Sequence, residues 1–209
     1  MKIIKIFIIL LLFVSCKTIE NKKLPLIQAE KINFLSLPLI DNFENPFPFW
    51  KLVVGENSDG KFLIESQENN RIGVLYYKVP FSNEEFPPYY VGILYEREFN
   101  FTNFKGIMFY AYSDNQDINL KLKLYESEIF NNENKIEIWY KKIKLNSKLE
   151  LYKINFNEFI VEEFYEQNYV SDNIMNLEKI IGVGIFIENN NRYNDLLSGK
   201  LYIDDIKLF

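Results

Sequence analysis

Beyond Asp41 the chain alternates apolar and polar residues with period two, the period of a β-strand. Leu120, Leu122 and Leu124 alternate with Asn119, Lys121, Lys123 and Tyr125. Ile107, Phe109 and Ala111 alternate with Met108, Tyr110 and Tyr112, and Ile136, Ile138 and Tyr140 alternate with Glu137, Trp139 and Lys141. Further strands are predicted at 61–66, 71–78, 91–99, 149–156, 180–188 and 200–208. Ser58-Asp59-Gly60, Pro87-Pro88, Asn131-Asn132-Glu133-Asn134 and Asn189-Asn190-Asn191 break the chain between them. Many short strands separated by turns predict an all-β fold of two packed sheets. The one helical candidate, around Phe159 to Gln167, is short. In the last strand Leu201 and Ile203 share one parity while Ile206 and Leu208 share the other, so a bulge is expected at Asp204-Asp205.

The first residues follow a different pattern. Lys2 and Lys5 precede an apolar run from Ile6 to Val14, which ends at Ser15-Cys16. The run is about half of the roughly 20 residues needed to span a bilayer, so residues 1–15 read as a cleaved signal peptide. Phe13-Val14-Ser15-Cys16 resembles a bacterial lipobox, with Phe13 where leucine is usual. The resemblance implies that Cys16 is lipidated and becomes the first residue of the mature chain. Lys17 stands where an aspartate would signal inner-membrane retention, which points to the outer membrane in a host that has one. Prolines in Leu24-Pro25-Leu26 and Leu37-Pro38-Leu39 disfavour a helix, so residues 16–40 read as lipidated cysteine plus tether and 41–209 as the folded domain.

Composition narrows the chemistry. Histidine is absent, which removes Ser/His/Asp and Cys/His triads and histidine-based zinc sites. A single cysteine leaves no disulfide framework. Lys and Arg total 24 against 29 Asp and Glu, a net charge of −5 that becomes more negative once Lys2 and Lys5 are removed. Nucleic acid and anionic lipid are therefore not expected partners of the domain. Glu84-Glu85, Glu162-Glu163 and Asp204-Asp205 are adjacent in sequence, and neighbouring residues on a strand point to opposite faces, so they do not make a catalytic carboxylate pair. Gly182-Val183-Gly184 lies inside an apolar strand and reads as a close-packing device rather than a phosphate loop. No enzymatic activity is expected.

Four segments resemble one family in its own order. Asp41-Asn42-Phe43-Glu44 followed by Trp50 resembles the opening of galactose-binding-like jelly rolls, among them family 11 carbohydrate-binding modules and complex I intermediate-associated protein 30 domains. Phe104-Lys105-Gly106-Ile107-Met108-Phe109, the segment Tyr152–Phe159 and the final Gly199–Leu208 resemble later motifs, although the family's Trp and Pro are missing from the third. The resemblance implies a two-sheet antiparallel jelly-roll sandwich. It also implies one structural Ca2+ held by Glu44 and Asp204, with Asp41 and Asp205 as further ligands, chemistry that suits hard oxygen donors. The other reading of these acids is turn capping and ion pairing.

Sugar-binding sandwiches use exposed rings as platforms, because pyranose C–H faces stack on them while acids and amides bind the hydroxyls. The candidates are rings on the polar parity of a strand: Trp139 beside Glu137 and Lys141, Tyr110 and Tyr112 by the same test, and Tyr125 beside Lys121 and Lys123. Were these strands neighbours in one sheet, the rings and Glu137 would line a single face. The competing reading is aromatic core beneath loops, and Trp50 reads as core. Pro87-Pro88-Tyr89-Tyr90 is a second candidate loop. The expectation is a lipid-anchored cell-envelope protein with a non-catalytic glycan-binding module. The alternative is a protein-interaction module on the same scaffold.

Overall fold

A computed structural model describes residues 38–45, 49–67, 70–82, 89–115, 118–130, 133–162, 171–189 and 195–209. The expected signal peptide, Cys16 and the expected tether to residue 37 lie outside these residues, as do Glu84-Glu85 and Pro87-Pro88. Twelve strands are described: β1 Leu39–Asp41, β2 Trp50–Val54, β3 Asp59–Gln67, β4 Asn70–Pro80, β5 Tyr90–Phe99, β6 Gly106–Ser113, β7 Asn119–Phe130, β8 Glu133–Lys144, β9 Glu150–Asn155, β10 Ile160–Val161, β11 Ile180–Glu188 and β12 Leu196–Leu208. Nine follow the period-two segments: seven are extended by one to several residues, β11 matches its expected bounds and β9 is shorter. The three without a sequence signal are β1, β2 and β10: β1 and β10 are too short to show a period, and Trp-Lys-Leu-Val-Val in β2 does not alternate. Of the helical candidate around Phe159 to Gln167, the described residues carry β10, just after a 3-10 turn at Phe156–Glu158, and residues 163–167 lie outside the described set.

The strands form two antiparallel sheets. Sheet I has the order β3-β4-β12-β6-β9 with β1 against β12, and sheet II the order β10-β8-β7-β11-β5-β2. Leu120, Leu122, Leu124, Val183, Ile185, Val91 and Ile93 from sheet II meet Leu75, Tyr77, Ile107, Phe109, Leu201 and Ile203 from sheet I in one core. Burying each such side chain contributes roughly 1.5–3 kcal/mol before conformational entropy is set against it.

The sequence motifs have visible causes. Asp41 Oδ1 accepts the Phe43 amide at 2.7 Å and Oδ2 accepts the Trp50 indole N–H at 2.9 Å. This clip holds Phe43 in the left-handed region (φ 58°), driving its fully buried ring toward Trp50 and Phe62. Gly106 is required by close approach, since a Cβ there would lie 2.0 Å from the Ile154 carbonyl oxygen. The expected bulge is present. The β12·β6 register slips between Asp204 and Lys207, and Asp205 takes φ 51°. There β12 also changes neighbour, from β4 up to Ile203 to β1 at Ile206 and Lys207. Leu201, Ile203, Ile206 and Leu208 can thus all face the core despite their opposite parities.

Candidate ligand-binding face

The expectation that Trp139, Tyr110, Tyr112, Tyr125 and Glu137 line one face is not met. Tyr110 and Tyr112 lie on β6 in sheet I, whereas Tyr125 lies on β7 and Trp139 and Glu137 on β8 in sheet II. Parity grouped Glu137, Trp139 and Lys141 correctly but assigned their side to solvent. Register decides otherwise: Trp139 pairs with Leu124 and Lys141 with Leu122, so that side of β8 faces the core. Trp139 is only 5% exposed, donating its indole N–H to Glu126 at 2.9 Å, and Glu137, paired with Glu126, is buried as well. A ring with a large apolar area and one N–H is stable inside when an acceptor is built in beside it. The outward positions of β8 go instead to Ile136, Ile138 and Tyr140.

On the outer face of sheet I, Tyr112 stacks on Tyr202 (centroids 4.3 Å, interplanar 2°) and both pack with Ile72 and Val74. Tyr110 is half-buried there, and burial, then the Asp205 and Asp204 charges, raise its hydroxyl pKa. Burial likewise pushes the Tyr112 hydroxyl well above the usual range.

On the outer face of sheet II the arrangement is polar. Lys121 and Lys123 on β7, Glu162 just past β10 and Glu188 at the end of β11 form a charge network. Lys121 Nζ lies 3.3 Å from Glu162 Oε1 and 2.7 Å from Glu188 Oε2, and Lys123 Nζ is 2.7 Å from Glu162 Oε2. The four side chains are 3–12% exposed. Rings surround them. Lys121 lies 4.9 Å from the centroid of Tyr140, Lys123 lies 5.1 Å from that of Phe186, and Tyr90 meets Phe186 edge-on at 5.8 Å. Phe186 lies against the sheet because Gly92 and Gly184 sit beneath it; a Cβ at either would come within 2.5 Å of the ring. Half-buried Tyr125 adjoins Gly182 in the register. Its hydroxyl is raised well above the usual range by burial, then by Glu162 and Tyr90, and stays a neutral donor and acceptor at physiological pH. Donors, acceptors and rings in fixed positions can recognise a polyhydroxylated ligand. Of these residues the sequence reading named Tyr125 as a site and Tyr90 as part of a second candidate loop. Lys121 and Lys123 were legible by parity, but Tyr140 was placed on the wrong side, and Glu162 and Glu188 become neighbours of the lysines only through sheet order.

The carboxylates implied as calcium ligands do not form one donor set. Asp41 is committed to Phe43 and Trp50, Glu44 Oε1 accepts the Arg71 amide at 3.1 Å, and Asp205 pairs with Lys207 at 3.0 Å. Asp204 accepts from Asn70 at 3.0 Å and from its neighbour's amide at 2.8 Å; burial first, then Asp205, raises its pKa to about 7. Among the described residues no group of three or more His, Cys, Asp or Glu side chains is placed to hold a metal ion. Also among them, no helix is long and apolar enough to cross a membrane.

No protein-family model matches the chain, and no curated protein matches it. Solved structures do. A family 11 carbohydrate-binding module from Clostridium thermocellum, in complex with a β-1,3-1,4-mixed-linked tetrasaccharide, is similar at 21% identity and TM-score 0.66, covering 82% of this chain and 94% of that one. The family 11 module of the cellulosomal cellulase Lic26A-Cel5E of Clostridium thermocellum is similar at 20% identity and TM-score 0.66, covering 83% and 94%. A family 28 module specific for non-crystalline cellulose is similar at 10% identity and TM-score 0.52, covering 82% and 97%. At these identities the likeness establishes the fold, and the chain is an all-β, two-sheet antiparallel jelly-roll sandwich of the kind these modules adopt.

Proposed function

We propose that the chain is a lipid-anchored, non-catalytic glycan-binding module of the cell envelope whose ligand lies on the outer face of sheet II. The observation that carries this reading is the buried network of Lys121, Lys123, Glu162 and Glu188 set among Tyr90, Tyr125, Tyr140 and Phe186. Ion pairs at this depth are weak sources of stability, because desolvation offsets most of their attraction. Their use is to hold polar groups in place beside rings, which sugar recognition requires. The fold likeness supports the same reading, since the similar modules are described as carbohydrate-binding and one was solved with a mixed-linked tetrasaccharide. The anchor rests on the lipobox-like segment ending at Cys16.

Affinity gel electrophoresis in mixed-linkage β-glucan and in a soluble cellulose derivative, backed by a glycan array, tests the ligand. Tyr125→Ala is expected to weaken retention about tenfold, the scale of one lost ring contact. Absence of binding to every glycan by a folded protein overturns the proposal. It favours instead a protein partner, for which Ile136 and Ile160, each 57% exposed on this face, are the observation in favour. Cys16→Ser, followed by membrane fractionation, tests the anchor. The variant is expected in the soluble fraction, and unchanged membrane association overturns lipidation at Cys16.

A further inference from the structure

The other outer face carries a feature that the glycan-face reading does not use. At one end of sheet I, two cross-strand rows lie side by side. One runs Lys61, Tyr76, Lys200 across β3, β4 and β12, and the next runs Asp59, Lys78, Ser198 across the same strands. Parity places all six side chains on the outer face. Asp114 closes the first row, its Oδ1 accepting the Lys200 amide at 2.7 Å. Together these residues line a hollow of about 560 Å3, a size that suits a small ligand.

Part of the hollow's lining is already engaged by protein groups and part is not. Lys200 Nζ lies 4.8 Å from the centroid of Tyr76, and the Tyr76 hydroxyl donates to Glu65 at 2.6 Å, so both are held by protein groups. Lys61 and Lys78 are exposed and make no side-chain hydrogen bond or ion pair among the described residues. One row further along the face, the Tyr112 hydroxyl is buried without a hydrogen-bond partner among the described residues. The walls therefore carry three ammonium groups against the two carboxylates of Asp59 and Asp114, a net single positive charge in a chain whose net charge is −5. A doubly charged phosphate would meet those two carboxylates. A ligand with one negative charge and several hydroxyls matches them, with its anion toward Lys61 and Lys78 and its hydroxyls toward Asp59, Asp114 and Ser198.

We infer that this hollow on the outer face of sheet I is a second binding site, for a carboxylated saccharide unit of the uronic acid class. It is independent of the sheet II face, and neither site needs the other.

Calorimetric titration of the full-length protein in detergent with methyl galacturonide, which carries one carboxylate, against neutral methyl galactoside, tests it. Methyl galacturonide is expected to bind at least about tenfold more tightly than methyl galactoside, and raising NaCl from about 50 to 500 mM should weaken it several-fold, as for exposed charges within a Debye length. The double variant Lys61→Ala/Lys78→Ala is expected to abolish that preference, whereas Tyr125→Ala leaves it unchanged. Both lysines are exposed, so the double variant should melt with the unaltered protein, and its retention in β-glucan gels reports sheet II separately. Equal affinity for the two glycosides, no binding of methyl galacturonide, or a preference that survives the lysine substitutions overturns the site.

Discussion

On the outer face of sheet II paired charges are buried among rings, whereas on the outer face of sheet I the buried apolar cluster is Ile72, Val74, Tyr112 and Tyr202, with lysines standing free at one end. Both faces are pleated surfaces of the same sandwich and both bear tyrosines. They differ in what removing one polar group leaves behind. In sheet II the loss of a carboxylate leaves buried ammonium groups short of a partner; in sheet I the loss of an exposed lysine leaves only water. Aromatic content alone therefore does not mark a recognition surface. Polar groups fixed at a cost in desolvation, or left unpaired around a hollow, are the better indicators.

That contrast can be broken most sharply at Glu162. Glu162→Ala takes a carboxylate from both Lys121 and Lys123 and is expected to cost about 3–5 kcal/mol in urea unfolding. A loss below about 1 kcal/mol would show that the network is effectively solvated and the distinction between the faces false.

The next effect depends on pH and belongs to sheet I. Asp204 has a folded pKa raised to about 7, from an ordinary 3.8, by burial first and then by Asp205, with Glu44 adding to the shift. The native state thus binds this proton more tightly than the unfolded chain does. Its contribution is complete below about pH 4 and is lost as pH rises through 7, a change of about 2–4 kcal/mol. Stability of the unaltered protein minus that of Asp204→Asn, measured by urea melts from pH 4 to 8, should fall across that window. A flat difference refutes the assignment. Glu158 moves oppositely: its pKa is lowered to about 2, first by the Asn155 amide, so its contribution disappears only as pH falls below the ordinary carboxylate range.

Smaller again is Gly92→Ala. Its Cβ would meet the Phe186 ring at 2.3 Å and the Ile185 carbonyl oxygen at 2.7 Å, for an expected loss of about 1–3 kcal/mol by overpacking. The new methyl should also lift the ring and weaken β-glucan retention, which a purely structural role for Phe186 would not predict. At the bottom of the scale, Lys61→Ala should change stability by no more than about 0.5 kcal/mol, the ordinary range for surface substitutions. Calcium against EDTA should shift the melting midpoint by less than about 1 °C, since Asp41, Glu44 and Asp205 already have protein partners. A larger upward shift with calcium would restore the metal site implied by the family resemblance.

Much of this molecule was legible residue by residue, because a strand's period and its punctuation are local. The bulge at Asp204-Asp205 could be deduced from a parity conflict alone, and the clip from Asp41 to Trp50 was visible as a motif though not as a mechanism. The sheet II face was legible only in part. Lys121, Lys123 and Tyr125 follow from alternation, but which side of β8 is inside cannot be read from β8 itself, where Glu137 and Lys141 flank a tryptophan and isoleucines occupy the other parity.

The amino-acid sequence by itself determined nine of the twelve described strands, the breaks between them and the lipobox-like segment at Cys16, all of which depend on neighbours a few residues apart, and its composition excluded histidine and disulfide chemistry. Tertiary structure alone decided which strands share a sheet. That choice placed Trp139 inside against Leu124, separated Tyr110 and Tyr112 from Tyr125, and brought Glu162 and Glu188 to Lys121 across dozens of residues of chain. Pairing between distant strands is set by the burial of both inner faces at once, a property of the assembled sandwich that no single strand encodes.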